Sequence, residues 1–261
     1  MDTLFIGQKI IQLKETDSTN SHLLRLIDIE KLSEGAVVIT QKQAQGRGQR
    51  GTFWKSEPGK NLTLSILLKP TFLKPEEQFS LSKSVSLAVF GFILSLMPDG
   101  LSHKTKIKWP NDIYIENKKV AGILIENSVN GNSISHSIVG IGINVNQGVF
   151  PAELPNPTSL KLITGKAFML ENCLERLCSY IEKRYSQLRN HSKEIDSGYL
   201  KNLYRFDEFA NYNYKGEKLK VKITGVAKNG RLILEKENGK SLECDFKEIE
   251  FTLPSSSLPA N

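Results

Sequence analysis

The stretch Gln43-Ala44-Gln45-Gly46-Arg47-Gly48-Gln49-Arg50-Gly51-Thr52-Phe53-Trp54 holds the densest chemistry in the chain. Its glycines let backbone amides approach a ligand closely, and Arg47 supplies a planar cation that grips a carboxylate or phosphate through two hydrogen bonds. Gly46, Gly48 and Gly51 also satisfy G-x-G-x-x-G, the dinucleotide fingerprint. That fingerprint must open a helix and be followed about 20 residues later by an acid for the ribose. Here a strand-like run, Leu62-Thr63-Leu64-Ser65-Ile66-Leu67-Leu68, follows instead, and no Asp or Glu lies between Glu57 and Glu76. The loop joins strand to strand, which excludes a Rossmann site.

Three other segments carry matching chemistry. In Lys108-Trp109-Pro110-Asn111-Asp112 the proline ends a strand where an amide and a carboxylate are presented. A carboxylate beside lysines can organise Mg²⁺ on a nucleoside triphosphate; the plainer reading is an Asx turn. In Lys119-Val120-Ala121-Gly122-Ile123-Leu124 a lysine enters an apolar strand, where its ammonium can stabilise charge on a phosphate or simply be solvated. In Gly140-Ile141-Gly142-Ile143-Asn144 the glycines weaken a strand unless a ligand needs the flat surface they leave. Asp17-Ser18-Thr19-Asn20, at a helix start, adds hydroxyls and an amide suited to a compact polar head group, although such residues are often simple caps. Together these segments describe a site for a carboxylic acid plus a nucleotide.

The elements that must position them follow from periodicity and punctuation. Leu23, Leu24 and Ile27 continue a helix over 17–29, and a strand is expected at 36–40 before the glycine loop. Pro75-Glu76-Glu77 opens a long helix reaching about Met97, with proline and acids at its positive end. Strands are expected at 120–126 and 138–145 around an Asn130-Gly131 hairpin turn, and helices at 167–188 and 193–204. From about Asn211 short alternating strands are separated by Lys215-Gly216, Asn229-Gly230 and Asn238-Gly239, the signature of a small β-barrel. The expected fold class is α+β, a mixed or antiparallel sheet with helices over residues 1–208, followed by a β-barrel domain over 209–261 that ends in Ser255-Ser256-Ser257.

Composition narrows the partners. A net charge of +7 favours acidic ligands, but no helix-turn-helix or RNA-recognition signature accompanies it. No apolar run approaches the roughly 18 residues of a membrane span, and the N-terminus lacks the basic and apolar regions of a signal peptide. Cys173, Cys178 and Cys244 form neither a C-x-x-C pair nor, with four histidines, a metal spacing. A reducing, cytoplasmic setting is the expectation.

Taken in order, these motifs resemble those of the biotin–protein ligases over roughly residues 10–146. The resemblance implies a class II synthetase-like biotin/lipoate ligase catalytic domain with an SH3-like domain behind it. It implies two steps: biotin and Mg·ATP give biotinyl-5′-AMP and pyrophosphate, then a lysine of a biotin carboxyl carrier protein attacks the mixed anhydride. By resemblance Ser18, Thr19, Asn20 and Gln43 meet the ureido ring, and Arg47, Gly48 and Gln49 close over the adenylate. Lys119 touches the carboxylate and α-phosphate, and Gly122 and Gly140 line the biotin slot. Trp109, Asn111, Asp112 and Asn144 serve the nucleotide, Asp112 through Mg²⁺. Arg47 and Lys119 are the expected catalytic cations, and a homodimer is admitted.

Gln49 and Thr52 stand where many relatives carry loop cations, so weaker retention of the adenylate is expected. Only about 16 residues precede Asp17, too few for the DNA-binding domain of some ligases, so no DNA contact is expected. Two other readings compete. A lipoate or octanoate attachment enzyme shares the fold, and a non-catalytic biotin- or nucleotide-binding regulator would bind without transferring.

Overall fold

The structure is a computed structural model describing residues 2–252; the Ser255-Ser256-Ser257 tract lies outside the described residues. Its first half runs β1 (Ile10–Thr16), α1 (Thr19–Glu30), β2 (Val37–Gln43), β3 (Leu62–Leu68), α2 (Gln78–Leu94), β4 (Thr105–Lys108), β5 (Asp112–Ile115), β6 (Lys118–Asn130) and β7 (Ser133–Ile143). Three helices follow, α3 (Leu160–Thr164), α4 (Leu170–Asn190) and α5 (Ser192–Lys201). Five strands end the described residues: β8 (Ala210–Tyr214), β9 (Glu217–Val226), β10 (Leu232–Lys236), β11 (Ser241–Cys244) and β12 (Ile249–Phe251).

β1 to β7 form one sheet in the order β1-β2-β3-β7-β6-β5-β4, mixed because only β1 and β2 run parallel. β8 to β12 form a second, antiparallel sheet in the order β11-β10-β9-β8-β12. The α+β class is therefore as the sequence implied, with a small β domain at the C-terminal end.

The two faces of the large sheet are covered unequally. Leu64, Ile66, Ile123, Val139 and Ile141 pack with α2 and α4 in a core that continues through Tyr199 to Tyr212, Val221 and Leu234 of the β domain. On the opposite face a smaller cluster packs Leu23 and Leu32 against Ala36, Val38, Leu67 and Ile138, with Ile11 and Leu13 at its margin. Each fully buried aliphatic side chain contributes roughly 1.5–3 kcal/mol, so the well-covered face holds the fold while the rest of the other face stays free for a ligand.

Several local details depart from the sequence reading. β1 was not anticipated; it is an edge strand with weakly alternating burial, and its mixed IIQLKET composition hides its period. Pro75–Glu77 forms a 3-10 turn rather than the first α-helical turn, and α2 stops at Leu94, short of Met97. α3 is a single short helix capped by Ser159, whose side chain accepts from the Leu162 amide, and closed by Gly165 in the left-handed region. β6 and β7 extend past their expected ends toward the hairpin tip, through mostly polar residues that carry little hydrophobic signal.

Ser18 takes the N-cap position of α1 with extended backbone but makes no side-chain cap. Gln43 accepts from the Thr19 amide at 2.8 Å instead, and Asp17 is occupied by Arg25 at 2.9 Å. That guanidinium, with the Ser18 amide, holds the Asp17 carboxyl well below its usual pKa.

Candidate functional site

The uncovered part of the sheet is a shelf built by register. Thr63, Gly142, Gly122 and Asp112 stand side by side across β3, β7, β6 and β5, and one step along come Ser65, Gly140 and Leu124. The missing side chains of Gly122, Gly140 and Gly142 make the shelf flat. A Cβ on Gly140 would strike the Asn20 side chain, and one on Gly142 would lie 2.6 Å from Trp54 Cζ2. Lys119 reaches this face through a β-bulge: the β5–β6 register shifts between Ile113 and Tyr114, so Tyr114 opposes Lys119. Bulges re-aim side chains in this way, and strict alternation would have sent Lys119 to the far side.

At one end of the shelf lies a buried polar cluster. Thr19, Asn20 and Ser65 are each 3% exposed or less. Ser65 Oγ lies 2.7 Å from Thr19 Oγ1 and donates to Asn20 Oδ1 at 2.6 Å. Gln43 Oε1 accepts from the Thr19 amide, and Asn20 Nδ2 donates to Glu126 Oε2 at 2.7 Å.

The glycine loop folds over the shelf as a small hairpin. Arg47 bridges Phe53, the Trp54 amide donates to the Gly46 carbonyl at 2.9 Å, and the Gly48 amide donates to that of Thr52 at 2.7 Å. Its glycines are required by contact as well as by conformation. A Cβ on Gly46 would meet the Trp54 carbonyl, one on Gly48 would meet Thr52 Oγ1, and Gly51 has φ +86°. Trp54 lies against Gly142 and Gly122, and its indole N–H is buried without a hydrogen-bond partner. An orphaned donor of that kind costs roughly 1–3 kcal/mol until an acceptor arrives.

Both expected cations are held by carboxylates. Arg47 pairs with Glu126 at 2.9 Å and Lys119 with Asp112 at 2.8 Å. Lys119 Nζ also lies 5.7 Å from the centre of the Trp54 ring. The far end is closed by the β domain. Trp109 donates its indole N–H to the Gly230 carbonyl at 2.9 Å and packs on Phe246, while Lys108 sits between the rings of Tyr114 and Phe251. Burial pulls the Lys108 pKa below the usual lysine value; Asp112 opposes that shift, and Lys119 and Arg205 add to it.

The resulting cleft has a volume of about 740 Å³ and is lined by Ser18, Thr19, Asn20, Gln43, Arg47, Gly48, Gln49, Trp109, Asn111, Asp112, Lys119, Gly122 and Gly140. Asn144 is not part of its wall. Its amide nitrogen donates to the Thr158 carbonyl and its backbone to that of Val120, so it braces the strand carrying Lys119. Asn111, although in the wall, spends its amide on the Ile123 carbonyl. Among the described residues no group of three His, Cys, Asp or Glu could hold a metal. Asp112 offers one carboxylate, which suits an ion arriving on a nucleotide rather than a resident one.

Sequence reasoning missed Thr63, Ser65 and Glu126 and left Trp54 without a role. A signal for the first two was present: polar residues at alternate positions of an otherwise apolar, fully buried strand.

A biotin/lipoate A/B protein ligase family model matches residues 13–144. The bifunctional ligase/repressor BirA of Bacillus subtilis is 32% identical over 73% of this chain, which spans 58% of that protein's length. The biotin–[acetyl-CoA-carboxylase] ligase of Paracoccus denitrificans is 31% identical, covering 67% of this chain and 72% of that one. The biotin protein ligase of Aquifex aeolicus, solved in complex with biotin and ATP, superposes with a TM-score of 0.73 at 28% identity, covering 93% and 98% of the two chains.

Proposed function

The chain belongs to the biotin/lipoate A/B protein ligase family, and from that premise we propose that it is an ATP-dependent biotin–protein ligase. It activates biotin as biotinyl-5′-AMP and passes the biotinyl group to a lysine of a biotin carboxyl carrier protein. One observation carries the reading: a flat glycine shelf runs from a buried hydroxyl-amide cluster at one end to Lys119 and Asp112 at the other. The polar cluster suits a ureido head group, the shelf a fused ring and alkyl chain, and Lys119 a carboxylate meeting a triphosphate.

In the first step a biotin carboxylate oxygen attacks the α-phosphorus, and the bond to the β-phosphate breaks with release of pyrophosphate. Two anions must be brought together; Lys119 offsets their repulsion in a partly dry cleft, joined by Arg47 once the loop carries it from Glu126 to the adenylate. Mg²⁺ carried by the nucleotide, with Asp112 as its protein ligand, would neutralise phosphate charge. In the second step a neutral lysine amine attacks the acyl carbon, the bond to AMP breaks, and an amide forms with loss of a proton. The glycine loop keeps water from the anhydride meanwhile. No enzyme nucleophile is needed, in keeping with three buried thiols.

The same reading takes residues 1–208 as the catalytic domain and 209–261 as a domain closing the nucleotide end through Phe246 and Phe251. It places the protein in the cytoplasm and assigns no DNA or membrane partner. Among the described residues no helix is long and apolar enough to cross a membrane. The test is direct: mix the purified protein with biotin, Mg·ATP and an unmodified biotin-acceptor domain, and weigh the acceptor. A gain of one biotinyl group is expected. An unchanged mass, or modification with lipoate and not biotin, would reject the reading.

A further inference from the structure

The geometry points to Glu126 as a positioning and specificity-determining residue that sets which groups of the polar cluster donate and which accept. The inference rests on the biotin reading and goes beyond it. The argument is proton bookkeeping. An ionised carboxylate only accepts, so the Asn20 amide must turn its NH₂ toward Glu126 Oε2, 2.7 Å away. That fixes Asn20 Oδ1 toward Ser65, whose single hydroxyl proton must then go to it across 2.6 Å.

With that proton committed, Ser65 Oγ is left as an acceptor 2.7 Å from the single Thr19 hydroxyl proton, which also has Gln43 Oε1 in reach at 3.1 Å. Ser65 and Asn20 thus point their protons one way, toward Glu126. Gln43 Oε1 is likewise held as an acceptor by the Thr19 amide. Toward a ligand Thr19 Oγ1, Asn20 Oδ1 and Gln43 Oε1 therefore present lone pairs, while the Gln43 NH₂ is left to donate. A head group with N–H donors, such as a cyclic urea, fits this end; an alkyl or dithiolane end does not. Glu126 also accepts from Arg47 at 2.9 Å, so the same carboxylate ties the loop to the polarised cluster.

Glu126→Gln tests this, since its amide can donate as well as accept and no longer dictates the Asn20 orientation. Pyrophosphate release is measured for wild type and variant at varied biotin, varied ATP and varied octanoate, with thermal melting alongside. The expected result is a KM for biotin raised about tenfold or more, equivalent to one charge-assisted hydrogen bond. The KM for ATP should stay within about twofold and the melting temperature should hold, while preference for biotin over octanoate falls by about tenfold. A folded variant with unchanged KM for biotin and unchanged preference would overturn the assignment, as would equal rises in both KM values. If Glu126→Gln does not fold, Ser65→Ala breaks the same chain one link on; an unaltered KM for biotin there overturns it too. A wild type with no biotin-dependent pyrophosphate release would instead defeat the biotin reading itself.

Discussion

Replacing Gly140 by alanine should separate the shelf's role in binding from its role in folding. Gly140 sits in β7 outside the left-handed region, so its backbone tolerates a side chain and an alanine would even gain strand propensity. The obstacle is Asn20. The new Cβ would lie 3.0 Å from its Cγ and 3.1 Å from its Nδ2, and closer still to Oδ1.

Asn20 is 3% exposed and tied at both ends, to Ser65 at 2.6 Å and Glu126 at 2.7 Å. It cannot step aside without losing one of those bonds, a cost of roughly 1–3 kcal/mol. Gly140→Ala should therefore weaken biotin binding roughly five- to a hundredfold, read by isothermal titration of the purified protein. Melting should fall by only about 2–4 °C per kcal/mol lost from the fold. Gly148→Ala is the control: a Cβ there meets nothing within 4 Å, and both stability and binding should stay within about 0.5 kcal/mol. A Gly140→Ala protein that binds biotin like the wild type would refute the account of Asn20 as an immobile member of the site.

Other perturbations follow from the same geometry. Lys119→Ala should slow adenylate formation about 100-fold or more, because it removes a preorganised charge at the reacting phosphate; near-normal pyrophosphate release would dismiss that role. Trp109→Phe keeps the ring against Phe246 but loses the hydrogen bond to Gly230, so about 1 kcal/mol of stability should go and the KM for ATP should rise several-fold. An unaltered KM for ATP would detach the β domain from nucleotide binding.

Burial pushes the Cys178 thiol up to about 12 and those of Cys173 and Cys244 up to about 11. A raised folded-state value means the fold keeps the proton, so this stabilisation is complete below the unfolded thiol value of about 8.5 and is lost as pH climbs through the folded values. Urea midpoints should accordingly drop between neutral and strongly alkaline pH, and native protein at pH near 8 should resist thiol reagents; fast labelling of folded protein would contradict the burial.

Much of the site could be read before the fold was known, for identifiable reasons. Glycines at Gly122, Gly140 and Gly142 have no business in strands unless something lies against them, and Asn-Gly pairs mark hairpins wherever they fall between alternating runs. What escaped notice depends on pairing between distant segments. Ser65 looks like one more residue of a hydrophobic strand until its register with Gly140 puts it on the open face. Glu126 reads as a solvated acid near a strand end, and only the sheet brings it to Asn20 and Arg47. The aim of Lys119 hinges on a one-residue bulge that no local pattern announces. Asn144, conversely, is a nucleotide contact only by the family resemblance; in the structure its amide anchors the loop at Thr158.

The chain has two tryptophans, and both stand at the cleft: Trp54 on the loop over it, Trp109 at the seam with the β domain. Intrinsic emission excited at the red edge, where tyrosine is silent, is thus a built-in optical probe of this one locale. An unlabelled sample followed by stopped flow would resolve arrival of each substrate in real time, and quenching by iodide would tell whether the cover or the seam responds first.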